Sequence, residues 1–268
     1  MRKATSLALA IWLLEGAPVF AWGIEGHRLV ALIATSELTP KAQAAVADLL
    51  GGDVTSSMVS ASTWADEIRP SRRETAPWHY VNIEIDSIGY DAARDCPDDA
   101  CVVGQIERDA KIVGDPAILK PVRAEALRFL VHFMGDLHQP LHCADNHDRG
   151  GNAVKVQFEG RQTNLHAVWD TAVVEALGLS EGDLAAAFEK EITPMARAAW
   201  SRGTIADWAN ETFGVATTDV YGGVHGSGGT EAPLILPPDY AASRHAVVVK
   251  QLERDGVRLA ALLNERLK

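Results

Sequence analysis

The stretch 121-PVRAEALRFLVHFMGDLHQ-139 decides the fold. Its apolar residues recur three and four apart, the spacing of one helix face, and it is rich in alanine and leucine, good helix formers. The next residue, Pro140, ends or kinks that helix near Gln139. The end of this helix and the turn after it read 132-HFMGDLHQPLH-142, which packs His132, Asp136, His138 and His142 around one proline. A helix that only filled a core would not need that much imidazole.

The same periodicity recurs outward in both directions. It appears in 27-HRLVALIATSEL-38, 40-PKAQAAVADLL-50, 165-LHAVWDTAVVEAL-177, 181-EGDLAAAFEKEITPMARAAW-200 and 245-HAVVVKQLERDGVRLAALLNERL-267. Strand signals are sparse. The alternation in 78-WHYVNIEI-85 and 153-AVKVQF-158 predicts a small hairpin or short strands, with His79 inside one of them. Asn146 to Gly151 is a turn cluster, and the Gly- and Pro-rich span 220–238 reads as a long surface loop. There is no internal repeat and no low-complexity block. The expectation is a mainly α protein with a short β-hairpin, folded as one domain over residues 22–268.

Residues 1–21 have a basic start at Arg2 and Lys3, a short apolar core from Ala4 to Leu14, and small or aliphatic residues before Trp22. That is the pattern of a secretory signal, too short and wrongly flanked for a membrane span. No later segment is long and apolar enough to cross a bilayer. The expectation is an exported protein, periplasmic or extracellular, whose mature chain begins at Trp22. Export makes a local disulfide between Cys96 and Cys101 the favoured pairing, over half of a zinc site. Cys143 is left as a thiol. The formal net charge is −11. An acidic chain is a poor generic binder of phosphate backbone, so an anionic substrate has to be drawn by local positive charge, which bound cations could supply.

Residues four apart on a helix share a face. His132 and Asp136 form one such pair, and His166 and Asp170 in 166-HAVWD-170 form another. Each can hold a metal ion between imidazole and carboxylate. One such pair arises easily by chance; two, with His142 nearby, point to a metal centre. His142 follows the proline and comes from a turn, so it need not face the ion held by His132. His138 lies on a different side of the helix and is read as supporting the site, with direct ligation as the alternative. In 64-WADEIR-69, Asp66 and Arg69 share a face. They suit a metal beside a phosphate, or an ordinary surface ion pair. His79 alone would pass for a core histidine. Cleavage before 22-WGIEGH-27 would create an α-amine five residues from His27. That nitrogen and the Trp22 carbonyl oxygen can close a five-membered chelate.

In one order, W-x4-H, WADxIR, WHYVN, HFMGDLHQPLH, GGN and NLHAVWD resemble the zinc-dependent single-strand-specific nucleases of fungi, plants and bacteria. These are also called 3′-nucleotidase/nucleases and share a fold with the zinc phospholipases C. The resemblance runs from Trp22 to about residue 210, and more weakly through the C-terminal helix. It implies a helical domain with three zinc ions in a cleft. Asp66, His79, His132 and Asp136 would hold one ion. His142, His166 and Asp170 would hold a second. Trp22 and His27 would hold the third, with Asp136 bridging. Arg69 and Asp66 are the catalytic candidates, with Arg69 neutralising charge on the phosphoryl oxygens. Tyr80 stands where the family stacks a base. Asn82 replaces an aspartate of the fungal members, so base preference is open. Asn152 would lie near the phosphate, or be an ordinary turn asparagine.

The implied substrates are single-stranded DNA and RNA, cut to 5′-phosphate products, and 3′-mononucleotides. No stable protein partner is indicated, and a monomer is expected. A zinc phospholipase C acting on phosphatidylcholine is the alternative within enzymes. A zinc-storage protein is the alternative outside them, and it would have no use for Arg69 and an aromatic cleft.

Overall fold

The computed structural model describes residues 22–223 and 232–268. The expected signal segment and part of the glycine-rich loop lie outside the described residues. Among the described residues the chain forms twelve α-helices in this order: α1 (Gly23–Ser36), α2 (Pro40–Leu50), α3 (Val54–Ile68), α4 (Ala92–Asp95), α5 (Val102–Gly114), α6 (Lys120–His138), α7 (Leu165–Ala167), α8 (Val173–Glu175), α9 (Glu181–Glu191), α10 (Pro194–Trp200), α11 (Ile205–Val215) and α12 (Tyr240–Arg266). The fold is mainly α, as the periodicity predicts.

Side-chain caps set several of the helix starts. Thr39 accepts from Ala42 N at α2, and Asp53 accepts from Ser56 N at α3. Thr204 and Asp207 form a reciprocal capping box at α11. Helix α6 is the centre of the packing. Every residue from Phe129 to His138 is buried, apolar and polar alike. It lies against α3 and α5, with α1 and α12 closing the other side. Burial of Leu127, Phe133 or Met134 there contributes on the order of 1.5–3 kcal/mol each. A helix buried all round must pair its polar side chains with something, and in α6 these are the histidines and Asp136.

The only sheet among the described residues has three short strands in the order β2-β1-β3. β1 (Lys155–Phe158) pairs antiparallel with β2 (Arg161–Asn164), and β3 (Leu234–Ile235) adds parallel to β1. The expected hairpin is therefore built from 153-AVKVQF-158 and the residues after it.

The segment 78-WHYVNIEI-85 is not a strand. His79 ends a 3-10 turn spanning Arg73–His79, and the backbone after it runs extended with a single bridge, Glu84 to Asp145. The alternation there reflects a chain lying against 142–145, where Val81 N donates to His142 O and Ile85 N to Asp145 O. Segment 181–200 is broken into α9 and α10, because Thr193 caps a new helix with Pro194 in its first turn. The long surface loop contains β3, since Leu234 meets Val156 across the sheet edge. Cys96 and Cys101 are joined in a disulfide. Cys143 is buried, and burial pushes its thiol pKa up, which leaves it unreactive.

Candidate metal centre

Asp136 is the hub. It is fully buried on α6, and four imidazoles surround its carboxylate. His79 Nδ1 lies 2.9 Å from Oδ2, and His132 Nε2 lies 3.2 Å from the same oxygen. His27 Nε2 is 3.5 Å and His142 Nδ1 3.6 Å from Oδ1. Asp66 completes this side. Its Oδ1 is 3.7 Å from His79 Nδ1, and its Oδ2 is 3.7 Å from His132 Nε2.

Separate elements deliver these groups. His27 comes from α1, Asp66 from the last turn of α3, His79 from the end of the 3-10 turn, and His132 and Asp136 from α6. His27 stacks on His132 with ring centroids 4.2 Å apart. That approach needs Gly135, where any Cβ would run into the His27 ring.

A second group sits beside the first. His142 arrives on the 3-10 turn Pro140–His142, and His166 comes from α7. Asp170 comes from a π-helical turn, Val168–Ala172, that joins α7 to α8. His142 and His166 stack at 5.0 Å, and His166 Nε2 lies 3.4 Å from Asp170 Oδ2. Three buried sets of donor atoms each lie within 4.8 Å of one another: His27, Asp66 and His132; His79, His132 and Asp136; and His142, His166 and Asp170.

The hydrogen bonds fix the imidazole tautomers. His132 Nδ1 meets Ser62 O at 2.6 Å, and His166 Nδ1 meets Gly150 O at 2.6 Å. A carbonyl only accepts, so each Nδ1 carries a proton and each Nε2 is the nitrogen turned toward the cluster. This is the arrangement that outer partners impose on metal-ligating histidines.

The electrostatics agree. Burial lowers the His142 pKa to about 3 and that of His166 to about 4, so both are neutral, as ligands must be. Burial also works against charge on His132, but the Asp136 and Asp66 carboxylates outweigh it and raise His132 to about 9. Asp136 is held well below the usual carboxylate range, because His132 and His79 overcome the cost of its burial. Both His27 nitrogens, Asp66 Oδ1 and Asp136 Oδ1 are buried with no hydrogen-bond partner. Packed imidazoles and carboxylates of this kind fit zinc.

The remaining candidates sit around this core. Arg69 caps the C-terminus of α3 at the partly exposed rim, and its Nη1 lies 3.3 Å from Asp66 Oδ1. Trp22 is buried at the N-terminus of α1, and its carbonyl accepts from Gly26 N at 3.0 Å. Gly23 comes next with φ +56°, and a Cβ there would lie 3.1 Å from Asp170 O, so the start of α1 packs on the π-helical turn. Tyr80 is 40 % exposed next to His79, and Asn82 is exposed two residues on. Asn152 donates through Nδ2 to Arg149 O at 2.9 Å, the bond of a turn asparagine.

His138 points away from the cluster. Its Nδ1 meets Met134 O at 2.9 Å and its Nε2 meets Arg258 Nη1 at 3.1 Å. Gly135 and Gln139 carry no metal-donor signal, so a search for histidines and carboxylates misses them. A glycine inside a helix, which costs about 1 kcal/mol against alanine, was the available sign of a close approach.

The S1/P1 nuclease family profile matches residues 22–268. Endonuclease 2 of Arabidopsis thaliana is 33 % identical over 285 residues, covering 96 % of this chain and 95 % of its own. Nuclease P1 of Penicillium citrinum is 30 % identical over 266 residues, covering 91 % and 97 %. Nuclease S1 of Aspergillus oryzae is 35 % identical over 181 residues, covering 65 % and 59 %. With a buried histidine–aspartate centre in a helical fold and a family match along the whole described chain, the protein belongs to the S1/P1 nuclease family.

Proposed function

We propose that this chain is an exported, zinc-dependent phosphodiesterase that hydrolyses single-stranded DNA and RNA to 5′-phosphate products and also removes phosphate from 3′-mononucleotides. The hydrolase class follows from a family of nucleases. The finer reading is carried by one observation: four imidazoles crowd a single buried carboxylate, Asp136. Without a cation that arrangement is a costly burial of polar groups. Three zinc ions are proposed. Asp66, His79, His132 and Asp136 hold one. His142, His166 and Asp170 hold the second. His27 and the Trp22 amine and carbonyl hold the third.

When bound, the zinc ions supply positive charge against the phosphate and lower the pKa of the attacking water. The protein does the rest. Asp136 and Asp66 fix the donor geometry, and the buried α6 wall keeps bulk water from the imidazoles. Arg69, at the rim, neutralises charge that builds on the non-bridging phosphoryl oxygens. The exposed Tyr80 ring would stack on a base, an interaction open to any base. Asn82 offers both a donor and an acceptor to the base edge. Asn152 borders the phosphate while holding its turn.

Export rests on the pattern of residues 1–21, and the family match beginning at Trp22 supports cleavage there. The disulfide fits an oxidising compartment.

The test uses the chain beginning at Trp22 on denatured DNA. Acid-soluble nucleotide release is measured before EDTA, after EDTA and after zinc is restored. The expected result is loss and recovery of 5′-nucleotide production. A zinc-replete protein that releases nothing from DNA but cleaves phosphatidylcholine would move the assignment to a phospholipase C.

A further inference from the structure

Gln139 is fully buried between the two elements that carry the second donor group. Its Oε1 accepts from Leu141 N and its Nε2 donates to Asp170 Oδ1. The amide cannot be turned around. A backbone N–H only donates, so Oε1 must face Leu141, and that commits Nε2 to Asp170. Asp170 is thereby left with Oδ2 directed to His166 Nε2 at 3.4 Å. The same residue starts the turn that presents His142, whose backbone N donates to Gln139 O at 3.0 Å. His142, in turn, is held by its Nδ1 at 2.7 Å from His79 O.

We infer that Gln139 is a positioning residue for the zinc held by His142, His166 and Asp170: its amide reserves one oxygen of Asp170, presents the other, and locks the turn that delivers His142. This role rests on the proposed zinc centre. It adds a residue that is neither a ligand nor a contact to substrate. Asp170 lies in the π-helical turn Val168–Ala172, and the Gln139 amide ties that turn to the end of α6. Outer partners of this kind typically change metal affinity by about 10–100-fold when removed.

The test measures zinc binding directly. Metal-free chain beginning at Trp22 is titrated with zinc alone against a chelating indicator, and folding is monitored by circular dichroism. Gln139→Met keeps the length and removes both hydrogen bonds. It should weaken one class of zinc by about 10–100-fold and leave the others at wild-type affinity. Gln139→Glu keeps the acceptor for Leu141 N and, when ionised, replaces the donor to Asp170 with a second carboxylate oxygen. It should show the same selective weakening, and it decides the matter if the Met variant does not fold. Cobalt(II) in place of zinc should give an altered visible spectrum in both variants.

Folded variants with wild-type zinc affinity and stoichiometry would overturn the role of Gln139 alone. A wild-type chain that takes up no zinc would overturn the zinc centre along with it.

Discussion

At Gly135 the α6 backbone and the His27 ring are in contact because no side chain stands between them. Gly135→Ala gains roughly 1 kcal/mol of helix propensity but displaces His27. The expected outcome is a chain that carries less zinc and turns over at least about 10-fold more slowly. Metal analysis beside steady-state kinetics checks it, and full zinc with full turnover would remove His27 from the ligand set. His132 carries the second residue-scale prediction. Asp136 and Asp66 keep it protonated up to about pH 9, so a cation entering at pH 7 must displace that proton. Calorimetric zinc titrations in buffers of different ionisation enthalpy should report release of about one proton per chain from this group. Among the ligand candidates, the types and spacing of His132, Asp136, His166 and Asp170 were legible in the sequence. The roles of Gly135 and Gln139 were not, because neither exists until α1 and the π-helical turn pack against α6.

Among the elements, α1 starts just after Trp22, the residue whose amine is the proposed ligand. A methionine added before Trp22 moves the α-amine away and leaves an amide nitrogen, a far weaker donor. Activity of the extended chain should fall sharply, and activity equal to that of the chain beginning at Trp22 would contradict a role for the amine. Further along α1, Ile33 meets Gly256 of α12 so closely that a Cβ on Gly256 would overlap its side chain. Gly256→Ala should cost about 1–3 kcal/mol, the range for overpacking, read as a lower urea midpoint with an unchanged slope. The long helices could be read from periodicity because each buries one continuous stripe. The break at Thr193–Pro194 and the π-helical turn escaped that reading. A cap can start a new helix inside a periodic run, and helical spacing alone does not distinguish an α turn from a π turn.

For the whole molecule, net charge and buried charge act separately. The chain is acidic overall, at −11, so the proposed attraction for nucleic acid would have to be local, at the candidate metal centre and Arg69. Stability against pH is set by groups such as Asp109, which is buried with Oδ2 unpartnered. Burial raises its pKa to about 7, against the partial relief of Arg108. The folded value lies above the unfolded one, so its contribution is full below about pH 4 and is lost as pH rises through 7. Asp109→Asn removes a charge that must otherwise be buried. The variant should gain on wild type as pH rises from 5 to 8, by at most about 3 kcal/mol, since only the two units between pH 5 and 7 count at 1.36 kcal/mol each. Denaturant unfolding at both pH values checks it, and a gap that shrinks with rising pH would contradict the assignment.

The sequence by itself determined the helical class, the candidate donors and the pairing of Cys96 with Cys101, because helix periodicity and short cysteine spacing are local properties. Tertiary structure decided the rest. It brought His27, His79 and His142 to the Asp136 carboxylate and Asp66 to His79 and His132, turned His138 away toward Arg258, and set Gln139 against Asp170. Those relations join residues far apart in the chain. Only the packing of α1, α3 and the later turns around the buried C-terminal half of α6 fixes the distances between them.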